Sequence, residues 1–213
     1  MRPVILLALA LSFAAAAGSK GAVDLTPTPS EYTAEGITYK RLVFQDGNRR
    51  ISYEPPRQWI YRLVGESLRL APSAETTAEA TIQAIPLRSQ QDLDDNSIAA
   101  IKEHFSRNIP PGSLGVTMLA GQEHAVPVKA PNYEVSASYQ ALGDTFVRRA
   151  LYVNLPDTQL VFRFTARKSE FDVLYRLFRA SILSWEWNTA PSAATSVSPA
   201  AVVAQSQTTT AAN

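Results

Sequence analysis

The 213-residue chain has no cysteine, only two histidines and no marked excess of either charge. Without cysteine there is no disulfide and no thiolate metal site. A bacterial lipoprotein carries a lipid-modified cysteine after its cleavage site, and that anchor is excluded too. Lys and Arg number 20 against 19 Asp and Glu, a formal charge of +1. No basic arm is available to displace counterions from nucleic acid, which is not an expected partner. Nor is there a polybasic patch for an anionic membrane. His104 and His124 lie far apart and outside any HExxH pattern, so a zinc site would need carboxylates to complete it. Solvated or hydrogen-bonded structural histidines and no metal are expected.

Short catalytic motifs are missing as well. No G-x-S-x-G, S-x-x-K or Gly-rich phosphate loop occurs. Gly112-Ser113-Leu114-Gly115 leads into a strand pattern, not a helix. Asp92, Asp94 and Asp95 lack the glycine and closing glutamate of an EF-hand loop and read as acids at a helix start. No N-x-[ST] sequon is found. No catalytic residue, metal ligand or cofactor is therefore assigned, and a non-enzymatic protein is expected.

The two ends are distinctive. Arg2 precedes an unbroken apolar or small run over residues 4–17 that ends in Ala15-Ala16-Ala17. This predicts a signal peptide over 1–17 with an A-x-A cleavage site. The run is shorter than the roughly 20 residues that span a bilayer core, so no stable membrane insertion is expected after cleavage. The protein is expected to be exported, periplasmic or secreted. Residues 18–35 hold Pro27 and Pro29 and read as a flexible linker. Residues 188–213 contain no charge and no aromatic ring and predict a disordered tail, either a spacer or stalk or a tolerated appendage.

Between the ends, residues 36–187 read as one α+β domain. Period-two alternation predicts strands over 37–44, 49–53, 60–64, 67–70 and 78–85. Asp46-Gly47-Asn48 suits a hairpin turn. A helix is expected over about 96–108, capped by Asp94, Asp95 or Asn96, with Ile98, Ile101 and Phe105 as its apolar stripe. Longer strands follow over 114–123, 132–142, 145–154 and 158–166, joined by short links that favour antiparallel neighbours. A closing helix over about 170–183 is expected to start at Ser169, with Asp172 in a capping box. Its stripe is Phe171, Leu174, Tyr175, Phe178 and Ile182. Trp59, Trp185 and Trp187 are expected mainly as core.

The run Ile51-Ser52-Tyr53-Glu54-Pro55-Pro56-Arg57-Gln58-Trp59, the later Leu68-Arg69-Leu70-Ala71-Pro72 and the ending Ala180-Ser181-Ile182-Leu183-Ser184-Trp185 resemble the PsbP-like family. That family includes extrinsic subunits of the photosystem II oxygen-evolving complex and exported bacterial relatives. The resemblance covers roughly residues 42–187. It implies an antiparallel sheet between helices, an α/β/α sandwich, and a scaffold or assembly role. No functional residue carries over, because no ligand motif of the family is identifiable.

The surface expected to matter is the polar side of the sheet. Alternation assigns it Glu134, Ser136, Ser138, Gln140, Arg148, Tyr152, Gln159, Arg163 and Thr165. Glu134, Gln140, Arg148, Tyr152 and Arg163 are the candidate contacts with a partner, and either water or a partner covers this side. The leading expectation is an exported binding or assembly module that engages another envelope protein. The alternatives are an exported hydrolase with a dispersed acidic site and a small-ligand carrier. The carrier needs a void lined by Tyr133, Tyr139, Phe162 and Phe164.

Overall fold

The computed structural model describes residues 23–46 and 49–186. The expected signal segment, the tail, Trp187 and the turn residues Gly47 and Asn48 lie outside the described residues. The fold is α+β, with every strand pairing antiparallel. A small sheet contains β1 (Asp24–Ala34), β2 (Ile37–Asp46) and β3 (Arg49–Tyr53) in that order. The large sheet has the order β4 (Trp59–Val64), β5 (Ser67–Pro72), β6 (Glu79–Pro86), β11 (Thr158–Arg167), β10 (Asp144–Asn154), β9 (Asn132–Ala141), β7 (Leu114–Met118). The short β8 (Gln122–Glu123) also pairs with β9.

β1 corrects the linker expectation for residues 24–34. From Thr28↔Val43 to Ala34↔Ile37 it pairs with β2, and its register slips between Asp24 and Thr28. Pro27 and Pro29 read as linker residues, yet β1 is an edge strand, where a missing backbone N–H leaves no ladder bond unmade. Burial of Val23 and Leu25 ties its start to the core. The expected strand over 114–123 divides into β7 and β8. Gly121 lies in the gap, where an added Cβ would collide with the Tyr133 hydroxyl.

The two helices lie on opposite faces of the large sheet. α1 (Asp95–Arg107) begins at Asp94, whose carboxylate accepts from Ser97 N while Ser97 Oγ accepts from Asp94 N, a reciprocal capping box. Its Ile101 and Phe105 pack on Tyr133, Val135, Ala137, Ala150, Tyr152 and Val161. α2 (Lys168–Ile182) follows β11 without a loop, and this corrects the expected cap at Ser169. β11 still pairs with β10 at Arg167↔Phe146, so Ser169 already stands inside the first turn and no side chain caps the helix. Phe171, Tyr175, Phe178 and Ile182 are buried against Leu160, Phe162, Phe164 and Ala166. The small sheet packs on this same side through Leu42, Phe44, Ile51 and Tyr53. Trp185 lies between the two, stacked on Phe44 at 5.3 Å and edge-on to Phe162 at 5.5 Å. Trp59, partly buried, stacks on Phe178 at 6.2 Å, so Trp185 is a core residue and Trp59 packs against the core from its margin.

Candidate functional site: an arginine-bearing sheet face

Cross-strand partners share a face of a sheet, so the register sorts the side chains. On the α1 side, one row runs Arg62↔Arg69, Arg69↔Thr81, Thr81↔Arg163, Arg163↔Ala150 and Ala150↔Val135. The next holds Glu79↔Thr165, Thr165↔Arg148 and Arg148↔Ala137. The one on the other flank holds Val64, Ser67, Gln83, Val161, Tyr152 and Tyr133. α1 covers the β9–β11 half of this face. The β4–β5 edge is open: Arg62 is exposed, Ile60 is 63% exposed and Arg69 is half-buried; on β6, Glu79 and Gln83 are half-buried, Thr81 is buried and Ile85 packs on the α1 cluster.

Arg148, Tyr152 and Arg163 thus share one face, at the margin of α1. Arg148 donates from Nε to Thr165 Oγ1 at 2.9 Å and from Nη1 to the Asn108 carbonyl. Arg163 Nη1 donates to Asn108 Oδ1 at 3.3 Å. Asn108 is the C-cap of α1, where the exposed carbonyls carry partial negative charge, so two guanidinium groups converge on a helix end that suits them. Neither forms an ion pair with a carboxylate among the described residues. Burial holds both below the usual guanidinium range, and the Arg148 charge lowers Arg163 further. Tyr152 Oη meets His104 Nδ1 at 2.9 Å, and burial raises that phenol well above its ordinary value. His104 is held below the usual histidine range by burial first, then by Arg107 and Arg163.

Glu134 and Gln140 are not part of this surface, which corrects the expected single polar face. Glu134 pairs across to Leu151 and Gln140 to Thr145, on the α2 side. Gln140 is exposed there. Glu134 is only 8% exposed and is held by Arg149 Nη1 at 3.5 Å, Arg179 Nη1 at 3.3 Å and the Tyr175 hydroxyl. Arg149 also lies over the rings of Tyr175 and Phe171, at 4.6 and 5.4 Å. This cluster is closed by α2 and fastens that helix to β9. Ser136 is buried on the same side.

Arg62 and Arg69 were not among the expected contacts. Their signal is local: a two-residue turn at Gly65-Glu66 sets Val64↔Ser67 and hence Arg62↔Arg69. Arg69 is engaged by Glu79 at 3.3 Å. A shallow hollow of ≈ 210 Å³ opens here, lined by Ile60, Arg62, Arg69, Ala71 and Glu79 among others. No group of three or more His, Cys, Asp or Glu is placed to hold a metal ion among the described residues. His124, at φ 50, is exposed at the end of β8.

No family model matches the chain, and no curated protein matches it. Among solved structures, LpqN of Mycobacterium tuberculosis, described as involved in cell envelope biogenesis, is 15% identical. That match covers 74% of this chain and 89% of LpqN at a TM-score of 0.45. A Bacteroides thetaiotaomicron structure is 14% identical over 62% of this chain at 0.41, and the chain spans 43% of its length. PA94 of Pseudomonas aeruginosa, described as a protein of unknown function and putative regulator, is 11% identical. It is matched over 59% of this chain and 94% of its own at 0.36.

Proposed function

We propose that the protein is an exported, non-enzymatic binding module of the cell envelope, PsbP-like in build. It engages another envelope protein through the open half of the α1-side face. The observation that carries this reading is the opposed pair Arg62 and Arg69 on strands that no helix covers, with Arg163 continuing their row at the margin of α1. Export is supported by Arg2, the apolar run 4–17 and Ala15-Ala16-Ala17.

The other two readings find less support. A hollow of ≈ 360 Å³ beside the start of β1 does contain two carboxylates, Asp24 and Glu66, among apolar residues such as Leu25 and Leu63. Asp24, however, accepts from Thr26 N at 2.8 Å, and that bond lowers its pKa. A general acid needs the opposite shift. A carrier cavity lined by Tyr133, Tyr139, Phe162 and Phe164 is not formed, because the tyrosines face α1 and the phenylalanines face α2.

A photo-crosslinking residue at Gln83 tests the reading in the native host. One reproducible adduct at Gln83, absent when the same residue is placed at Val173 on the outer side of α2, is expected. Recovery of monomer alone from both positions refutes it.

A further inference from the structure

We infer that the open β4–β5 edge and the adjoining margin of α1 recognise an extended acidic peptide segment of the partner, with Arg62, Arg69, Arg163 and Arg148 receiving the carboxylates. This rests on the binding-module reading above and specifies the chemistry of its surface. Arg62 and Arg69 are directly opposite each other on β4 and β5. Like charges in that relation destabilise a sheet; Glu79 offsets Arg69, while Arg62 has no carboxylate partner among the described residues, so an anion laid across the row adds a favourable contact. Arg163 continues the same row beyond Thr81, and Arg148 is its diagonal neighbour on β10. Glu79 is the one carboxylate on the floor of these two rows, and it is engaged by Arg69. Arg167, further along β11, pairs with Asp144 at 3.0 Å and lies one row beyond these arginines, opposite Phe146.

The dimensions suit an extended chain. From Arg62 to Arg163 the row crosses three strand spacings, roughly 14 Å. A peptide in β conformation puts residues i and i+2 on one side, about 7 Å apart. Two or three alternate acidic residues therefore fall within the row. Asn108 holds Arg148 and Arg163 in place, so part of the ordering cost is met before the ligand arrives. The hollow beside Ile60 and Ala71 takes one small side chain of the peptide. Four arginines around a central glutamate, on a chain of formal charge +1, do not make a continuous track for a nucleic-acid backbone.

Fluorescence anisotropy of a labelled peptide of alternating Glu and Ser tests the inference with the full exported chain. Saturable binding is expected. It should weaken at least about tenfold in Arg62→Glu, since like charges meet across the contact. A similar loss is expected in Arg163→Gln, while Arg176→Glu on the exposed side of α2 binds as wild type does. The circular dichroism melt of each variant separates lost binding from lost folding. The inference is overturned if the peptide does not bind at millimolar concentration, or if Arg62→Glu and Arg176→Glu behave alike. It is overturned equally if the Gln/Ser analogue binds as well, or if inorganic phosphate or a single-stranded oligonucleotide of equal charge competes as strongly as the peptide. Should the Gln83 adduct persist when the peptide fails to bind, the acidic-peptide inference falls and the binding-module reading stands. Loss of the adduct itself removes that reading.

Discussion

Replacing Glu134 with alanine should destabilise the domain by about 3–5 kcal/mol, the range for removing one partner of a buried ion pair. The structure divides the effect unequally. Tyr175 is buried and donates its hydroxyl to Glu134 Oε2, so the substitution strands a phenol, at about 1–3 kcal/mol. Arg149 lies over two aromatic rings, its Nε already lacks a partner, and Glu134 is the carboxylate that faces its Nη1. Losing that charge-assisted contact adds about 1.5–3 kcal/mol. Arg179 is 36% exposed and keeps its bond to the Ala125 carbonyl, so its share is below about 1 kcal/mol. Urea unfolding, followed by the fluorescence of Trp59 and Trp185, measures the change at constant slope. Glu134→Gln retains an acceptor for the Tyr175 hydroxyl and should lose about half as much as alanine. In a double-mutant cycle with Arg149→Met, the two sites should couple by more than about 1 kcal/mol. A Glu134→Ala midpoint within about 1 kcal/mol of wild type would refute the reasoning, since the cluster would then not fasten α2.

Phe178→Ala should cost about 3–5 kcal/mol in the same assay, because the ring is fully buried between Phe164 and Trp59. Asp94→Ala removes the capping box of α1 and should cost about 1 kcal/mol, with faster amide exchange confined to residues 95–98. His104 is depressed below its ordinary pKa of about 6.5 by burial and by Arg107 and Arg163. The fold disfavours its charged form, so stability falls as pH drops through about 6.5 and levels off below the folded value. His104→Gln should flatten the stability profile between pH 7.5 and 5.5, and an unchanged slope counts against this assignment.

Most of the local elements are legible from alternation and caps. The meander β9–β10–β11, the stripe of α2 and the start of α1 at Asp94 all follow from patterns within about a dozen residues. What stays hidden depends on distant pairing. The prolines of β1 argue against a strand unless that strand is known to be an edge. Helix α2 lacks a cap because β11 keeps its pairing to Arg167, which is a property of β10. The division of the chain into two sheets, with β6 beside β11, needs contacts between segments more than seventy residues apart. The arginine surface divides along the same line. Arg148, Tyr152 and Arg163 come from adjacent strands of one meander, whereas Arg62 and Arg69 join them only through β6.

The separation of Glu134 from Arg148 is a matter of parity. A two-residue turn at Leu142 and Gly143, with φ 51 and 84, fixes Ala141↔Asp144. Even-numbered residues of β9 then share a face with odd-numbered residues of β10, so the polar positions of the two strands cannot lie on one side. Polarity alone suggests one continuous face, while register gives two charge clusters of different character. On the α2 side, Glu134 is enclosed by Arg149, Arg179 and Tyr175, and its charge is neutralised within the fold. On the α1 side, four arginines are set around Glu79, which pairs with Arg69 at 3.3 Å, and the other three have no carboxylate partner among the described residues. A cluster neutralised internally has little electrostatic free energy left for a partner. The α1-side cluster, with one carboxylate among four guanidinium groups, keeps a positive charge that an anion laid across it would offset, and this is the physical basis of the proposed acidic-peptide contact.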